Sequence, residues 1–300
     1  MRQGLDAYLE ATRERVNRAL AEVLDDYLDG VDSWLAAPIR YACEGGGKRF
    51  RPVLCLATYG VSGRRPDKRV ERLASALEIV HSYSLVHDDL PCMDDDEWRR
   101  GRGTCHRVFG VERATIAAAA MVPLAGWVMA EEARALGFTP EECALLVSEL
   151  SEAAGPVGMV GGQLLDLLGE GQRMTADELG EIHGRKTGAL VRESARLGGR
   201  AARVEPAVLT ALTQYGEKLG LAFQIADDLL DELDSRLPDG TDPRSDQQLR
   251  KATYPGVLGH ERARASACRL AEEAVVVLRE AGIQNTTLEG LAVHVVERES

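Results

Sequence analysis

The sequence predicts an all-α fold, and three observations carry that prediction. Aromatic residues make up only 5% of the 300-residue chain while Ala, Leu, Arg and Glu recur throughout, and unbranched side chains lose little rotamer freedom in a helix. Apolar residues return at the i, i+3, i+4 spacing of an amphipathic helix in one segment after another. No repeat, low-complexity stretch or long Pro/Gly/Ser-rich linker interrupts the pattern, so one domain over residues 1–300 is expected, with 45% hydrophobic content to fill its core.

The chain opens on a charged amphipathic stretch, MRQGLDAYLEATRERVNRAL, with no apolar signal core. A glycine turn at Gly45–Gly47 leads into KRFRP. Leu73, Leu77, Val80 and Leu85 then mark a long buried helix that Pro91 and the acids around it should terminate. From about Arg113 to Leu136 the chain is Ala-rich and nearly uncharged, which predicts a core helix buried on most sides and too short for a membrane span. GMVGGQLLDLLGE, KTGALVRESARLGG and QYGEKLGLAFQIADDLLDELD predict three more helices, and SRLPDGTDPRSDQQ a long functional loop.

A formal net charge of -12 makes nucleic acid an improbable partner, so any phosphate ligand must be held by local charge. No uninterrupted apolar run reaches bilayer length, and a cytoplasmic protein without a membrane span is expected. The six cysteines lack zinc-ligand spacing and are expected to be reduced thiols in or near the core.

Two acidic clusters stand out: Asp88 and Asp89 followed by Asp94, Asp95 and Asp96, and separately Asp227, Asp228 and Asp231. Helical spacing puts Asp227 and Asp231 on one face with Asp228 at its edge. Like charges on an apolar helix destabilise it unless a cation neutralises them, and carboxylate-only sites suit hard cations such as Mg²⁺. Mg²⁺ held this way implies a phosphate ligand as well. Basic groups accompany the acids: Lys48, Arg49 and Arg51 after the glycine turn, Arg99 and Arg100 after the first cluster, and Lys186 beside Thr187 in GRKTGAL. Together they suggest a site for two diphosphates, one held through metal and one by side chains.

These motifs resemble the trans-isoprenyl diphosphate synthase family, closest to its bacterial farnesyl diphosphate synthases, along nearly the whole chain. GGGKRFRP, HSYSLVHDDLPCMDDDEWRRGRGTCH, GGQLLDL, KTGAL and FQIADDLLD carry the resemblance. It implies a helical bundle of the isoprenoid synthase type with the active site in a central cavity, acting as a homodimer. Isopentenyl diphosphate would be gripped by Gly47, Lys48, Arg51, His81 and Arg100, and the allylic diphosphate by Arg99, Lys186 and Lys251. A set of three Mg²⁺ would be bound by Asp88, Asp94 and Asp227, with Asp89, Asp228 and Asp231 in support. Lys186, Thr187 and Gln224 would act at the reacting centre, and Tyr83 and Ser84 would limit chain length. The implied reaction condenses isopentenyl diphosphate with dimethylallyl or geranyl diphosphate, giving mainly farnesyl diphosphate. A geranyl or geranylgeranyl product, or a non-catalytic regulatory subunit, is the alternative. Two positions depart from the family pattern: Ala117–Ala120 stands where relatives carry a Gly-Asp pair, and Thr241 where they carry a lysine.

Overall fold

The helical spacing is realised as fourteen α-helices, joined by one short hairpin, in a computed structural model that describes residues 2–234 and 251–297. The expected loop, with Arg236, Thr241, Arg244 and Arg250, lies outside the described residues. The chain divides into two units, residues 6–151 and residues 1–5 with 152–300.

The first unit contains α1 (Arg2–Tyr27) from its second turn, α2 (Ser33–Glu44), α3 (Phe50–Tyr59) and α4 (Lys68–Asp88). The hairpin β1 (Trp98–Arg99) and β2 (Arg102–Gly103), α5 (Cys105–Phe109), α6 (Val111–Ala135) and most of α7 (Pro140–Ala154) complete it. Helix α4 starts where the Asp67 side chain accepts the backbone N–H groups of Arg69 and Val70. Leu73, Leu77 and Val80 are buried along it, and it ends at Asp88, ahead of Pro91 as the sequence predicts.

Helix α6 packs along α4 through Ala114, Ala117, Ala118, Met121 and Ala125, whose small side chains allow a close approach. Its opposite face exposes Val111, Ile116, Val122 and Trp127, which corrects the expectation of burial on most sides. At 25 residues it is also long enough to cross a membrane, as is the stretch Pro140–Gly169, so length does not exclude a span. Packing against α2, α4 and α5 accounts for the buried part of its apolar surface.

The second unit holds α8 (Met159–Gly169), α9 (Ala176–His183), a π-helical turn at Gly184–Gly188, and α10 (Ala189–Ala201). It continues through α11 (Pro206–Asp234), α12 (Tyr254–Leu258), α13 (His260–Glu280) and α14 (Thr286–Glu297). Helix α11 runs along both α10 and α13. Gly216 permits the first contact, because a Cβ there would run into the Cα of Arg192, and Gly220 admits the end of the π turn, where a Cβ would meet the Cα of Gly188. On α13, Ala263, Ala267, Ala271 and Ala274 are buried.

Cys43, Cys55, Cys105 and Cys143 are buried thiols outside any disulfide, as expected. Cys92 is exposed because it sits in the turn after Pro91 rather than on a helix face.

Candidate active site

In the first unit the acidic cluster is shaped by the turn that follows α4. The chain reverses at Pro91 and Cys92, Met93 and Asp95 donate backbone N–H to the Leu90 carbonyl, and Asp94 donates to the Asp88 carbonyl at 2.9 Å. Asp88 and Asp94, six positions apart in sequence, thereby become neighbours, both half-buried. Asp89 behaves differently. It is buried and accepts from the Arg99 guanidinium at 2.7 Å, while Arg99 also pairs with Asp96 at 3.2 Å. Burial pushes the Asp89 carboxyl up to about 6, against the opposing pull of Arg99.

The hairpin positions Arg99 and Arg100. Arg100 (φ 53°) and Gly101 (φ 70°) both adopt left-handed backbone at its turn, the signature of a type I′ turn that matches strand twist. Tyr41 secures the hairpin, donating to the Gly103 carbonyl at 2.7 Å with the Arg102 guanidinium 4.0 Å above its ring. Arg100 then reaches the Gly46 carbonyl at 2.5 Å. Gly47 (φ 119°) lies directly under that guanidinium, where a Cβ could not fit.

The motif Lys48-Arg49-Phe50-Arg51 contains cations of two kinds. Arg49 is buried and committed to Glu78 at 2.7 Å, the Cys43 carbonyl at 2.8 Å and Asn17 at 2.8 Å. Lys48 is exposed and Arg51 is half-buried. His81, on α4, is held neutral well below its usual range by burial and by the nearby guanidiniums of Arg51, Arg100, Arg99 and Arg49. Its buried Nδ1 has no hydrogen-bond partner. A concentration of cations around a neutral imidazole has the charge and donor chemistry that suits a phosphate-bearing ligand.

Tyr83 packs with Val86, Leu90, Cys105, Ala114 and Ala118, its ring 5.7 Å from that of His87. Ser84 spends its hydroxyl on the His81 carbonyl at 2.9 Å. Ala118, in the run that departs from the family pattern, is thus part of the wall beside Tyr83.

In the second unit the π turn Gly184–Gly188 presents Lys186 and Thr187, and such turns recur at functional sites. Lys186 donates to Asp166 on α8 at 2.6 Å, and Lys251 lies 3.8 Å from the same oxygen. Burial raises the Asp166 carboxyl, but Lys186, Lys251 and His183 outweigh it and hold it low. Asp166 and the buried amide of Gln163, neither identified from the sequence as site residues, share one face of α8 at i, i+3 spacing. The signal that could have found Asp166 is a lone acid within the apolar segment GGQLLDL.

Thr187 donates to the Gln224 carbonyl at 2.6 Å, and the Gln224 amide nitrogen donates to Asp228 at 3.1 Å. Asp228 is buried and also accepts the Tyr254 backbone N–H at 2.9 Å. Asp228 is the inward edge of the acidic face: Asp227 is half-buried and Asp231 exposed, whereas Asp228 turns toward α12.

Among the described residues no three His, Cys, Asp or Glu side chains form a preassembled metal-binding group. Asp88 and Asp94 in the first unit, and separately Asp227 and Asp231 in the second, are hard oxygen donors whose chemistry suits Mg²⁺, an ion usually held by one or two carboxylates together with substrate phosphates and water.

The polyprenyl synthetase family model matches residues 32–281. The farnesyl diphosphate synthase of Escherichia coli (strain K12) is 39% identical over 297 residues, 97% of each chain. That of Geobacillus stearothermophilus is 36% identical over 95% of each. Among solved structures, an FPP/GFPP synthase from Zymomonas mobilis matches with a TM-score of 0.84 and 32% identity, covering 99% of this chain and 100% of its own. With aspartate-rich motifs, a glycine–lysine–arginine turn and a Lys-Thr π turn in a chain matched along nearly its whole length, this all-helical protein belongs to the polyprenyl synthetase family.

Proposed function

We propose that the chain is a prenyltransferase that condenses isopentenyl diphosphate with dimethylallyl or geranyl diphosphate, yielding mainly farnesyl diphosphate and releasing diphosphate. The observation that carries this reading is the cation cluster of Arg51 and Arg100 around neutral His81. An enzyme that only ionised and cyclised an allylic diphosphate would have no use for a second diphosphate site. Like the named functions of the E. coli and G. stearothermophilus relatives, the retained aspartates argue against a regulatory subunit.

Gly47 leaves space for Arg100, which together with Lys48, Arg51 and His81 binds isopentenyl diphosphate. Lys186 and Lys251 bind the allylic diphosphate, with Arg99 beside them in role. Asp88, Asp94 and Asp227 would hold Mg²⁺, a set of three ions in our reading, with Asp89, Asp228 and Asp231 supporting them. When bound, the ions neutralise charge that develops on the leaving diphosphate. Thr187 and Gln224 direct oxygen toward the allylic carbon as it becomes electron-deficient. Released diphosphate is the base that removes the final proton, so the chain needs no dedicated one. Tyr83 and Ser84 limit product length.

Residues 1–300 act as one catalytic domain in this reading, since the family match crosses both units. A homodimer is proposed, supported by the exposed Val111, Ile116, Val122 and Trp127 on α6. Four buried thiols outside any disulfide fit a cytoplasmic location.

The test is incubation with Mg²⁺, labelled isopentenyl diphosphate and each of the dimethylallyl, geranyl and farnesyl primers, followed by product sizing. Farnesyl diphosphate should dominate with the two shorter primers. Failure to extend any primer would refute the reading.

A further inference from the structure

Asp228 belongs to an aspartate-rich motif, yet its contacts are those of an internal hydrogen-bond hub. A carboxylate only accepts, so the Gln224 atom facing it is the amide nitrogen, 3.1 Å away. That fixes the other end of the amide: the Gln224 carbonyl faces Thr187, which must donate its hydroxyl hydrogen across 2.6 Å. The second Asp228 oxygen accepts the Tyr254 backbone N–H at 2.9 Å. His183 closes the remaining side, its Nε2 3.9 Å from Asp228 and its ring 5.4 Å from that of Tyr254.

We infer that Asp228 is a positioning residue that sets the polarity of this chain, with no need for it to bind metal. Because the Thr187 hydrogen is committed to Gln224, both hydroxyl lone pairs remain available to an electron-deficient carbon. Through Tyr254, Asp228 also anchors the backbone three positions after Lys251, so one carboxylate orders groups with two different tasks. The inference rests on the proposed role of Thr187 at the reacting allylic carbon.

Asp228→Asn reverses the relay. The new side-chain carbonyl must take the Tyr254 N–H, the new amide nitrogen then faces Gln224, and Gln224 rotates to accept it. Thr187 is left facing an N–H donor and must accept, so its hydrogen turns outward. Adding Gln224→Glu repairs the polarity, because a carboxylate at position 224 accepts both from the amide introduced at position 228 and from Thr187. In single-turnover prenyl transfer, Asp228→Asn should lower the rate about 10- to 100-fold. The KM of both substrates, the Mg²⁺ requirement, and binding of a non-reactive allylic diphosphate analogue should stay within about threefold. Gln224→Glu alone sets two carboxylates against each other and should also be slow, whereas the double variant should return to within about fivefold of wild type.

A raised Mg²⁺ requirement in Asp228→Asn, or a double variant no better than either single one, overturns the inference. Absence of prenyl transfer by the wild-type protein would instead refute the proposed function. In that case melting temperatures of the same four proteins decide: mutual rescue supports the relay, and additive losses overturn it. Should Asp228→Asn not fold alone, the comparison of Gln224→Glu with the double variant reads the same polarity.

Discussion

The backbone of Lys186 crosses α8 at Gly162, so closely that a Cβ on residue 162 would collide with the Lys186 amide nitrogen and Cα. That contact sets the distance between α8 and the π turn, and with it the pairing of Asp166 with Lys186. Gly162→Ala should cost about 1–3 kcal/mol of stability, the usual range for overpacking. Urea unfolding measures the loss, and allylic diphosphate affinity should fall with it.

Neighbouring cations in the glycine-turn motif should separate cleanly. Arg49→Ala breaks a buried pair with Glu78 and should destabilise the fold by about 3–5 kcal/mol. Lys48→Ala, at an exposed position, should leave stability within about 0.5 kcal/mol. Its KM for isopentenyl diphosphate should rise about 10- to 150-fold, the worth of one charge-assisted hydrogen bond. Denaturation and steady-state kinetics on both variants make the comparison.

Tyr83 fills space against Ala114, Ala118 and Cys105. Tyr83→Ala should open that wall and lengthen the product. Chromatographic sizing of products from geranyl diphosphate is the check, and an unchanged distribution would count against the assignment.

His183 should make stability depend on pH. Burial lowers its pKa from the usual 6.5 to about 4, opposed by Asp166 and assisted by Lys186. Between those values the unfolded chain binds more protons than the folded one, so stability rises with pH. The contribution is complete above about pH 6.5 and is lost as pH falls toward 4, at roughly 3 kcal/mol in all. Stability curves for wild type and His183→Gln should diverge in slope over that window.

Chelation should stop turnover, and Mg²⁺ should restore it. Asp88→Ala or Asp227→Ala should reduce the rate at least several hundredfold, since the leaving diphosphate loses its main neutralising charge. Retention of more than about a tenth of wild-type turnover by Asp227→Ala would contradict the role given to the second cluster.

Much of this architecture is legible in the sequence because helix periodicity and clustered charge are local signals. The course of α4 and the three later helices follow from spacing, and the end of α4 follows from Pro91. What escapes depends on neighbours that spacing does not name. Asp228 reads as a partner of Asp227 until Tyr254, 26 positions later, is seen to take its oxygen. Arg49 is indistinguishable from Lys48 without Glu78 beside it. The Ala-rich α6 reads as buried on most sides because Ala is neutral about exposure, and only the positions of Ile116, Val122 and Trp127 reveal its open face.

The π turn at Gly184–Gly188 amounts to one extra residue wound into an otherwise continuous helix. Each α-helical residue turns the chain by about 100°, and the wider π turn takes up that angle, so the inward positions of α10 are numbered one residue later than in an unbroken helix. The face of α9 that buries Leu179 and Ile182 and the face of α10 that buries Leu190 and Leu197 are therefore indexed by two different registers of one helical screw. Lys186 and Thr187 sit at the seam where the registers change. A single-residue deletion there would give a regular helix with both inward faces kept, but it would remove the seam at which Lys186 and Thr187 sit.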